Sequence, residues 1–570
     1  RISGDMRDRR LEMSNRERFT FLVAGEAGHG VRLAGTVAAD LSGELGRYVF
    51  QLDDYQSLIR GGHNFSVVTS SPQPVFSQYL HADLVVALDK RSYVVHQNHL
   101  SMDGTLVYNS DTLSGAPEAA IGLPLSTLAK GYTRAALRLG VASVAVLLAA
   151  VGFSREEAAD FIRRKYPRDV ENNVTYGLSV YDAASERVLG RYPLAKGHAP
   201  ATMLTGNEAI GLGAYAGGLD MYFAYPMTPS SSILHYLASK ADDFGIAVMH
   251  PESEIAVMNM AIGAASAGAR VAVGSSGGGM ALMEEGMSLA GMSETPVLCV
   301  LSSRPGPSTG VPTYTAQGDL SFALNQGHGE FPRIVASPGT AAEAFDLAAE
   351  LMGLAWAFQT PAILLTEKHL SESRMTIAVP EALPDVPQPV MHRGRKAYRR
   401  YEETDSGVSP LKFAPSSALI KWTSYEHDES GITTEDAGTI ARMQEKRFRK
   451  RRSLIESLHG MRTVNRFGSG KKVIVTYGST TMSVREAVSL GGLDVQVVQP
   501  VYLEPFPEWE LQDLAGSEVV VVEQSCAGQL AELLERRAGV RIRGVVTQYD
   551  GRPFDPEDLA ARLKEVLADG

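Results

Sequence analysis

The chain has 570 residues, 44% hydrophobic and 21% charged, with a formal charge of −11. At about 100–200 residues per domain, three or four globular domains are expected, and the acidic balance excludes nucleic-acid binding as the main role. No window is apolar enough for a transmembrane helix, and two cysteines, Cys299 and Cys526, form no disulfide framework, which predicts a reducing cytoplasm.

Residues 1–18 are polar and charged, without the apolar core of a secretory signal, and read as a flexible N-terminus. Residues 19–24 (FTFLVA) predict a strand, Gly25-Glu26-Ala27-Gly28-His29-Gly30 a glycine-rich turn, and the following stretch a helix to about Leu45. With a second strand over 48–52, ended by Asp53-Asp54, this is a βαβ opening suited to holding phosphate at a helix N-terminus. The spacing is Gly-x-x-Gly-x-Gly, so a dinucleotide site with Asp53 on a ribose is a poor match. Arg60, in Arg60-Gly61-Gly62-His63-Asn64, either meets an anion or pins its loop to a carboxylate. Residues 82–88 read as a further strand, and the apolar VASVAVLLAAVGF as a buried helix. The Pro/Gly-containing YPLAKGHAPA marks a domain boundary.

Beyond it, a small-residue helix from Asn207 leads to a strand over 221–224 and the loop Tyr225-Pro226-Met227-Thr228-Pro229-Ser230-Ser231. Two prolines restrict this loop around Thr228. Residues 250–285 read as helix, strand, glycine-rich turn, helix: Glu254 opens a helix of small side chains, 271–273 is buried strand, and 274–279 is the turn. Taken alone, Glu254 is an acid favoured by the helix dipole. A strand over 297–302 leads to Arg304-Pro305-Gly306-Pro307-Ser308-Thr309-Gly310, where an isolated Arg reads as a surface ion pair. Gln317-Gly318-Asp319-Leu320 follows, and His328 is either a ligand contact or a loop-fixing side chain.

Residues 385–470 read as a polar insertion. Its basic run 446–452 lies on a predicted amphipathic helix with Met443 and Phe448 inward and the charges on a solvated face or subunit contact. His427, Asp428 and Glu429 lack the further ligands that would complete a metal site, so no metal is assigned. From residue 471, strands over 472–476, 495–498 and 519–522 alternate with helical stretches.

These motifs, in this order, resemble the 2-oxoacid:ferredoxin oxidoreductases. The loop 225–230 is similar to the family's Tyr-Pro-Ile-Thr-Pro-Ser, with Met227 for Ile. Glu254 aligns with its Glu when Gly263-Ala264 is placed on the Gly-Ala pair. Residues 303–313 are similar to its Gln-Arg-Gly-Gly-Pro-Ser-Thr-Gly-Leu-Pro-Thr, with Ser303 for Gln and Pro305 for Gly. The first domain, with its glycine turn, Arg-Gly-Gly and Ala82-Asp83-Leu84, resembles the family's gamma domain.

The resemblance implies a multidomain α/β protein: a Rossmann-like gamma domain over 19–195, a pyrimidine-binding thiamine diphosphate domain over 200–384, the insertion over 385–470, and a transketolase C-terminal-like domain over 471–570. It implies a catalytic Glu254 beside N1′ of the aminopyrimidine as a proton relay, and cofactor contacts from Tyr225, Pro226, Ser275, Ser276 and Gly277. Thr228 and Arg304 then hold the 2-oxoacid, and Gly28, Gly30, Arg60 and His328 are candidate coenzyme A or loop contacts. The form of the insertion and of Arg-Gly-Gly-His-Asn is most like the 2-oxoglutarate enzymes, which make succinyl-CoA, CO2 and reduced ferredoxin, or fix CO2 in reverse as in a reductive tricarboxylic acid cycle.

The chain shows no Gly-Asp-Gly segment with a following Asn for Mg2+ and no cysteine set for a [4Fe–4S] cluster. The expectation is that a beta subunit brings both, in an (αβ)2 heterotetramer that is active only when assembled. Pyruvate or a branched-chain 2-oxoacid is the alternative substrate. A non-catalytic coenzyme A- or nucleotide-binding scaffold is the alternative of another class.

Overall fold

The structure, a computed structural model, describes residues 18–57, 61–115, 117, 119–378, 380–394 and 397–568. The chain divides into two compact units. One comprises residues 1–203 with 373–378 and 555–557, and the other 204–372, 379–554 and 558–570.

In the first unit, Phe19–Glu26 runs parallel to Ala82–Ala87, which continues in parallel to Leu100–Asn109 and Ile121–Leu123. On its other side it pairs antiparallel with His63–Ser71, which pairs antiparallel with Tyr48–Asp54. The two strands flanking the first helix, Val31–Glu44, are thus parallel to each other but separated by an antiparallel one. The strand His63–Ser71 is a departure from the sequence reading. It alternates few polar and apolar residues because both of its faces are covered, so its period is hidden. Asp53 and Asp54 belong to the second strand rather than ending it. Helices Ala135–Val151 and Val170–Val188 cover the sheet, the former buried nearly throughout as its unbroken apolar run requires.

The second unit holds two sheets. Met221–Phe223, Ala247–Met249, Val271–Ser275, Leu298–Ser303, Ile334–Ala336 and Ala362–Glu367 run parallel, with Tyr502–Glu504 antiparallel at one edge. In the other, Lys472–Val475, Val495–Pro500, Glu518–Glu523 and Arg541–Thr547 are parallel and Val464–Phe467 closes an edge antiparallel. A single apolar core runs from Val271, Cys299 and Ile363 of the first sheet to Val475, Val498 and Val521 of the second. The molecule is therefore mixed α/β, with largely parallel sheets whose strand ends face the loops that carry chemistry.

The helix Ala437–Leu458 reverses part of an expectation. Met443 is buried as expected, but Phe448 is 42% exposed, whereas Lys446, Arg447 and Lys450 are buried. Lys446 Nζ lies 2.8 and 3.0 Å from the two carboxylate oxygens of Glu294, and Lys450 Nζ lies 2.9 Å from one of them. Arg447 forks onto the Glu426 carboxylate. A charged face is buried here because each cation finds a carboxylate or a carbonyl. His427 donates to the Tyr425 carbonyl at 2.8 Å and lies tilted against the Tyr401 ring, as a core histidine. Among the described residues, no three His, Cys, Asp or Glu side chains gather as a metal site, and no helix is long and apolar enough to cross a membrane.

Candidate active site

Glu254 is the first residue of the helix Glu254–Ser266, which Ser253 caps by accepting the Ala256 N–H at 3.3 Å. The Glu254 side chain is buried, and its Oε1 has no hydrogen-bond partner. Leaving such an oxygen unpaired costs about 1–3 kcal/mol, which calls for a donor outside the chain. It lies against Gly279: a Cβ built there would sit 2.7 Å from Glu254 Oε1 and 1.9 Å from Ser275 Oγ. The glycine run is not the turn its composition predicts. Gly274 and Ser275 end the strand, and Gly277 begins the helix Gly277–Leu282. Glycine is required for close approach: at Gly277 a Cβ would fall 2.8 Å from Asp319 Oδ2. Ser276 Oγ, at the N-cap between that strand and the helix, is also buried and unpartnered.

Arg304 follows the strand Leu298–Ser303, and its Nη1 donates to the Thr228 carbonyl at 2.7 Å. The loop after Met221–Phe223 is thus tied to the strand end that carries the guanidinium. Ser275 Oγ also approaches Met227 Sδ, at 3.9 Å. Arg304, Met227, Gly277, Gly278, Ser308 and Asp319 line an open cavity of about 460 Å3. That volume suits a small ligand. Burial lowers the Arg304 pKa and Asp319 opposes it.

Asp319 itself was not foreseen. It occupies the N-cap of Leu320–Leu324 but does not cap it; instead its Oδ2 accepts from Ser303 Oγ at 2.8 Å. Burial raises its pKa, while the Ser303 hydrogen bond and Arg304 lower it. An N-cap Asp that faces a cavity in place of its own helix is the signal that was available in Gln317-Gly318-Asp319-Leu320. Glu367 was also missed. It is fully buried, accepts the Ser479 N–H at 2.6 Å, and lies beside Ser303 in register. Burial pushes its pKa up to about 7, against the opposing hydrogen bonds from Ser479 and Gln317.

The remaining candidates are placed as follows. Tyr225 is half exposed, edge-on to His250, and neither it nor Pro226 lines the Arg304 cavity. His328 lines a different cavity, of about 480 Å3, and its backbone N–H is held by Ser288 Oγ at 2.8 Å. Gly28 and Gly30 both have positive φ, 100° and 75°. Gly30 also packs backbone to backbone on Gly140, whose built Cβ would lie 2.6 Å from the Gly30 carbonyl oxygen, so packing alone explains that glycine. Asp53 is engaged by Ser66 Oγ at 2.7 Å, Gln51 at 3.0 Å and Arg32 at 3.3 Å, not presented to a ribose. Arg60 lies outside the described residues.

Residues 20–183 match the family described as pyruvate ferredoxin/flavodoxin oxidoreductase, and 212–446 match pyruvate flavodoxin/ferredoxin oxidoreductase, thiamine diphosphate-binding. A 2-oxoacid:ferredoxin oxidoreductase alpha subunit of Aeropyrum pernix is 30% identical, over 97% of this chain and 98% of its own. The 2-oxoglutarate synthase subunit KorA of Archaeoglobus fulgidus is 31% identical, over 64% of this chain and 99% of its own. The 2-oxoglutarate:ferredoxin oxidoreductase of Magnetococcus marinus, solved with 2-oxoglutarate, coenzyme A and succinyl-CoA bound, is 28% identical. It covers 97% of this chain and 100% of its own, with a TM-score of 0.88. The chain belongs to the 2-oxoacid:ferredoxin oxidoreductase family, among its alpha subunits, and is an oxidoreductase component with a thiamine diphosphate-binding domain.

Proposed function

We propose that this chain is the alpha subunit of a cytoplasmic, thiamine-dependent 2-oxoglutarate:ferredoxin oxidoreductase. One 2-oxoglutarate, one coenzyme A and two oxidised ferredoxins give succinyl-CoA, CO2, two reduced ferredoxins and a proton; the reverse reaction fixes CO2. The observation that carries the reading is the buried, unpartnered Oε1 of Glu254. A buried carboxyl that waits for a donor fits N1′ of an aminopyrimidine, and the glycine at 279 is what lets that carboxyl lie against backbone.

Thiamine diphosphate, when bound, supplies the nucleophilic carbon for decarboxylation and acyl transfer. Glu254 exchanges a proton with N1′. Ser275, Ser276, Gly277, Tyr225 and Pro226 form the wall that holds the ring. Arg304, held by the Thr228 carbonyl, keeps guanidinium N–H groups free to take the 2-oxoacid carboxylate in a planar pair. Gly28 and Arg60 remain the coenzyme A candidates; Gly30 is explained by its packing on Gly140, and His328, in another cavity, suits a loop contact better. Mg2+ and the [4Fe–4S] cluster come from a beta subunit in an (αβ)2 assembly, so the chain alone is inactive.

The names of the Archaeoglobus and Magnetococcus proteins support 2-oxoglutarate. A ketoisovalerate oxidoreductase subunit of Methanothermobacter thermautotrophicus, 30% identical over 64% of this chain, keeps a branched-chain substrate as the second reading. A substrate panel on the chain co-purified with its beta subunit separates the two. Coenzyme A-dependent viologen reduction fastest with 2-oxoglutarate is expected. Preference for pyruvate or 2-oxoisovalerate would discard the substrate and keep the family chemistry.

A further inference from the structure

The loop over 225–230 is poor in backbone donors, because Pro226 and Pro229 carry no N–H. It is anchored through its carbonyls instead, and three in succession are taken by three different residues. Ser230 donates to the Met227 carbonyl, from its N–H at 3.0 Å and from its Oγ at 2.8 Å. The Thr228 carbonyl accepts from Arg304 Nη1 at 2.7 Å. The Pro229 carbonyl accepts from Asn207 Nδ2, also at 2.7 Å. The first tie is local, and the other two come from outside the loop.

Asn207 sits where such a tie can be firm. It lies in the first turn of the helix Gly206–Ala216, which a reciprocal cap closes: the Thr205 N–H donates to Glu208 Oε2 at 2.8 Å and the Glu208 N–H to Thr205 Oγ1 at 3.1 Å. Beside it, Gly206 packs on the Lys368–Glu372 helix, so closely that a Cβ built there would lie 2.3 Å from the Leu370 carbonyl oxygen. Asn207 is fully buried, and its Nδ2 spends a second hydrogen on Ser232 Oγ at 2.7 Å. Both amide hydrogens are therefore committed, which sets the orientation of the side chain. Its Oδ1 is buried with no hydrogen-bond partner. The amide thus serves as a donor, and folding carries an unpaired acceptor for it.

Asn207 and Arg304 hold adjacent peptide groups. Between the Thr228 and Pro229 carbonyls stand the two backbone torsions of Pro229, and its ring locks φ. Orientation at one carbonyl is passed to the other with ψ as the soft angle between them. Arg304 takes its own orientation from the Thr228 carbonyl, and a planar fork binds a carboxylate best when its plane is set in advance. Asn207 does not line the Arg304 cavity, so its route to that cavity is the loop.

We propose that Asn207 is a positioning residue for substrate binding: through the Pro229 and Thr228 carbonyls it presets the Arg304 guanidinium for the carboxylate of the 2-oxoacid. The inference rests on the reading of Arg304 as the partner of that carboxylate.

A double-mutant cycle tests it on the chain co-purified with the proposed beta subunit, with KM and kcat for the preferred 2-oxoacid and the urea midpoint read for each variant. Asn207→Leu keeps the size of the side chain and removes both donors. It should raise KM about tenfold and change kcat by less than about threefold. Beside Arg304→Lys, which has already lost the fork, the same replacement should raise KM less than about twofold. Such non-additivity marks action through Arg304, whereas a purely structural loss of folded enzyme lowers the apparent kcat alike in both backgrounds. Ser232→Ala, at a half-buried position, releases one amide hydrogen of Asn207 and gives the same comparison where Asn207→Leu does not fold. It should raise KM about threefold by itself and leave it unchanged beside Arg304→Lys. KM unchanged in the variants at 207 and 232, or raised equally with and without Arg304→Lys, would overturn the proposal and leave the substrate role of Arg304 standing. An unchanged KM in Arg304→Lys itself would overturn that role and this proposal with it.

Discussion

Replacing Glu294 by Gln removes the carboxylate that faces Lys446 and Lys450 in the interior. The Glu294 and Lys446 side chains are fully buried and that of Lys450 is 3% exposed, with oxygen–nitrogen separations of 2.8–3.0 Å. At an effective dielectric of about 20, each pair gains roughly 5–6 kcal/mol of gross attraction, most of it offset by desolvation. Removing one partner leaves two buried cations uncompensated, so a loss of about 3–5 kcal/mol is expected.

Trp422, on which the Arg400 guanidinium stacks at 3.9 Å, reports on the region, since Arg400 also donates to the Glu294 carbonyl at 2.8 Å. The assay is urea unfolding followed by tryptophan fluorescence. Glu294→Gln should move the transition to lower urea, and adding Lys450→Met should restore part of it. The pH dependence has a definite sign. Burial alone pushes the Glu294 carboxyl up, but Lys446, Lys450 and Arg400 overcome it and hold it below the ordinary range. Its contribution is therefore complete above the ordinary value of 4.5 and is lost as pH falls toward the depressed folded value. A destabilisation below about 1 kcal/mol, the range of an exposed pair, would refute the reasoning.

Three further outcomes follow from the site. Gly279→Ala places a methyl 1.9 Å from Ser275 Oγ and 2.7 Å from Glu254 Oε1; thiamine diphosphate affinity, read by calorimetry on the assembled enzyme, should fall at least about tenfold while circular dichroism is unchanged. Arg304→Lys loses the planar fork, so KM for the 2-oxoacid should rise about ten- to a hundredfold in steady-state assays, with a smaller change in kcat. Glu367, with a folded pKa of about 7 against an ordinary 4.5, binds more protons folded than unfolded between those values. Stability should therefore decline by on the order of 3 kcal/mol as pH rises through that window. Urea midpoints for Glu367→Gln should show that slope flattened.

Much of the candidate site's local structure was legible because its signals are local. Glu254 after Ser253, the proline-restricted loop around Thr228 and the Arg304 strand end are each set within a few residues. What escaped depends on distant partners. The face of Ala437–Leu458 that is buried is decided by Glu294, more than 150 positions away in sequence, and no periodicity within the helix records it. Glycines 277–279 look like a turn, yet they start a helix; Gly277 and Gly279 are glycine because Asp319 and Glu254, from other segments, approach them closely. The antiparallel His63–Ser71 was hidden by its two covered faces, so a plain βαβ opening was expected where a mixed sheet exists.

The most direct test of the account is Glu254→Gln in the chain co-purified with the proposed beta subunit, assayed by viologen reduction with 2-oxoglutarate and coenzyme A. Gln keeps the size of the side chain and removes the proton exchange. A loss of about two to four orders of magnitude in kcat, with subunit assembly intact, is the predicted result. Undiminished reduction by that variant would contradict the assignment of Glu254 as the cofactor's proton partner, and with it the site built around it.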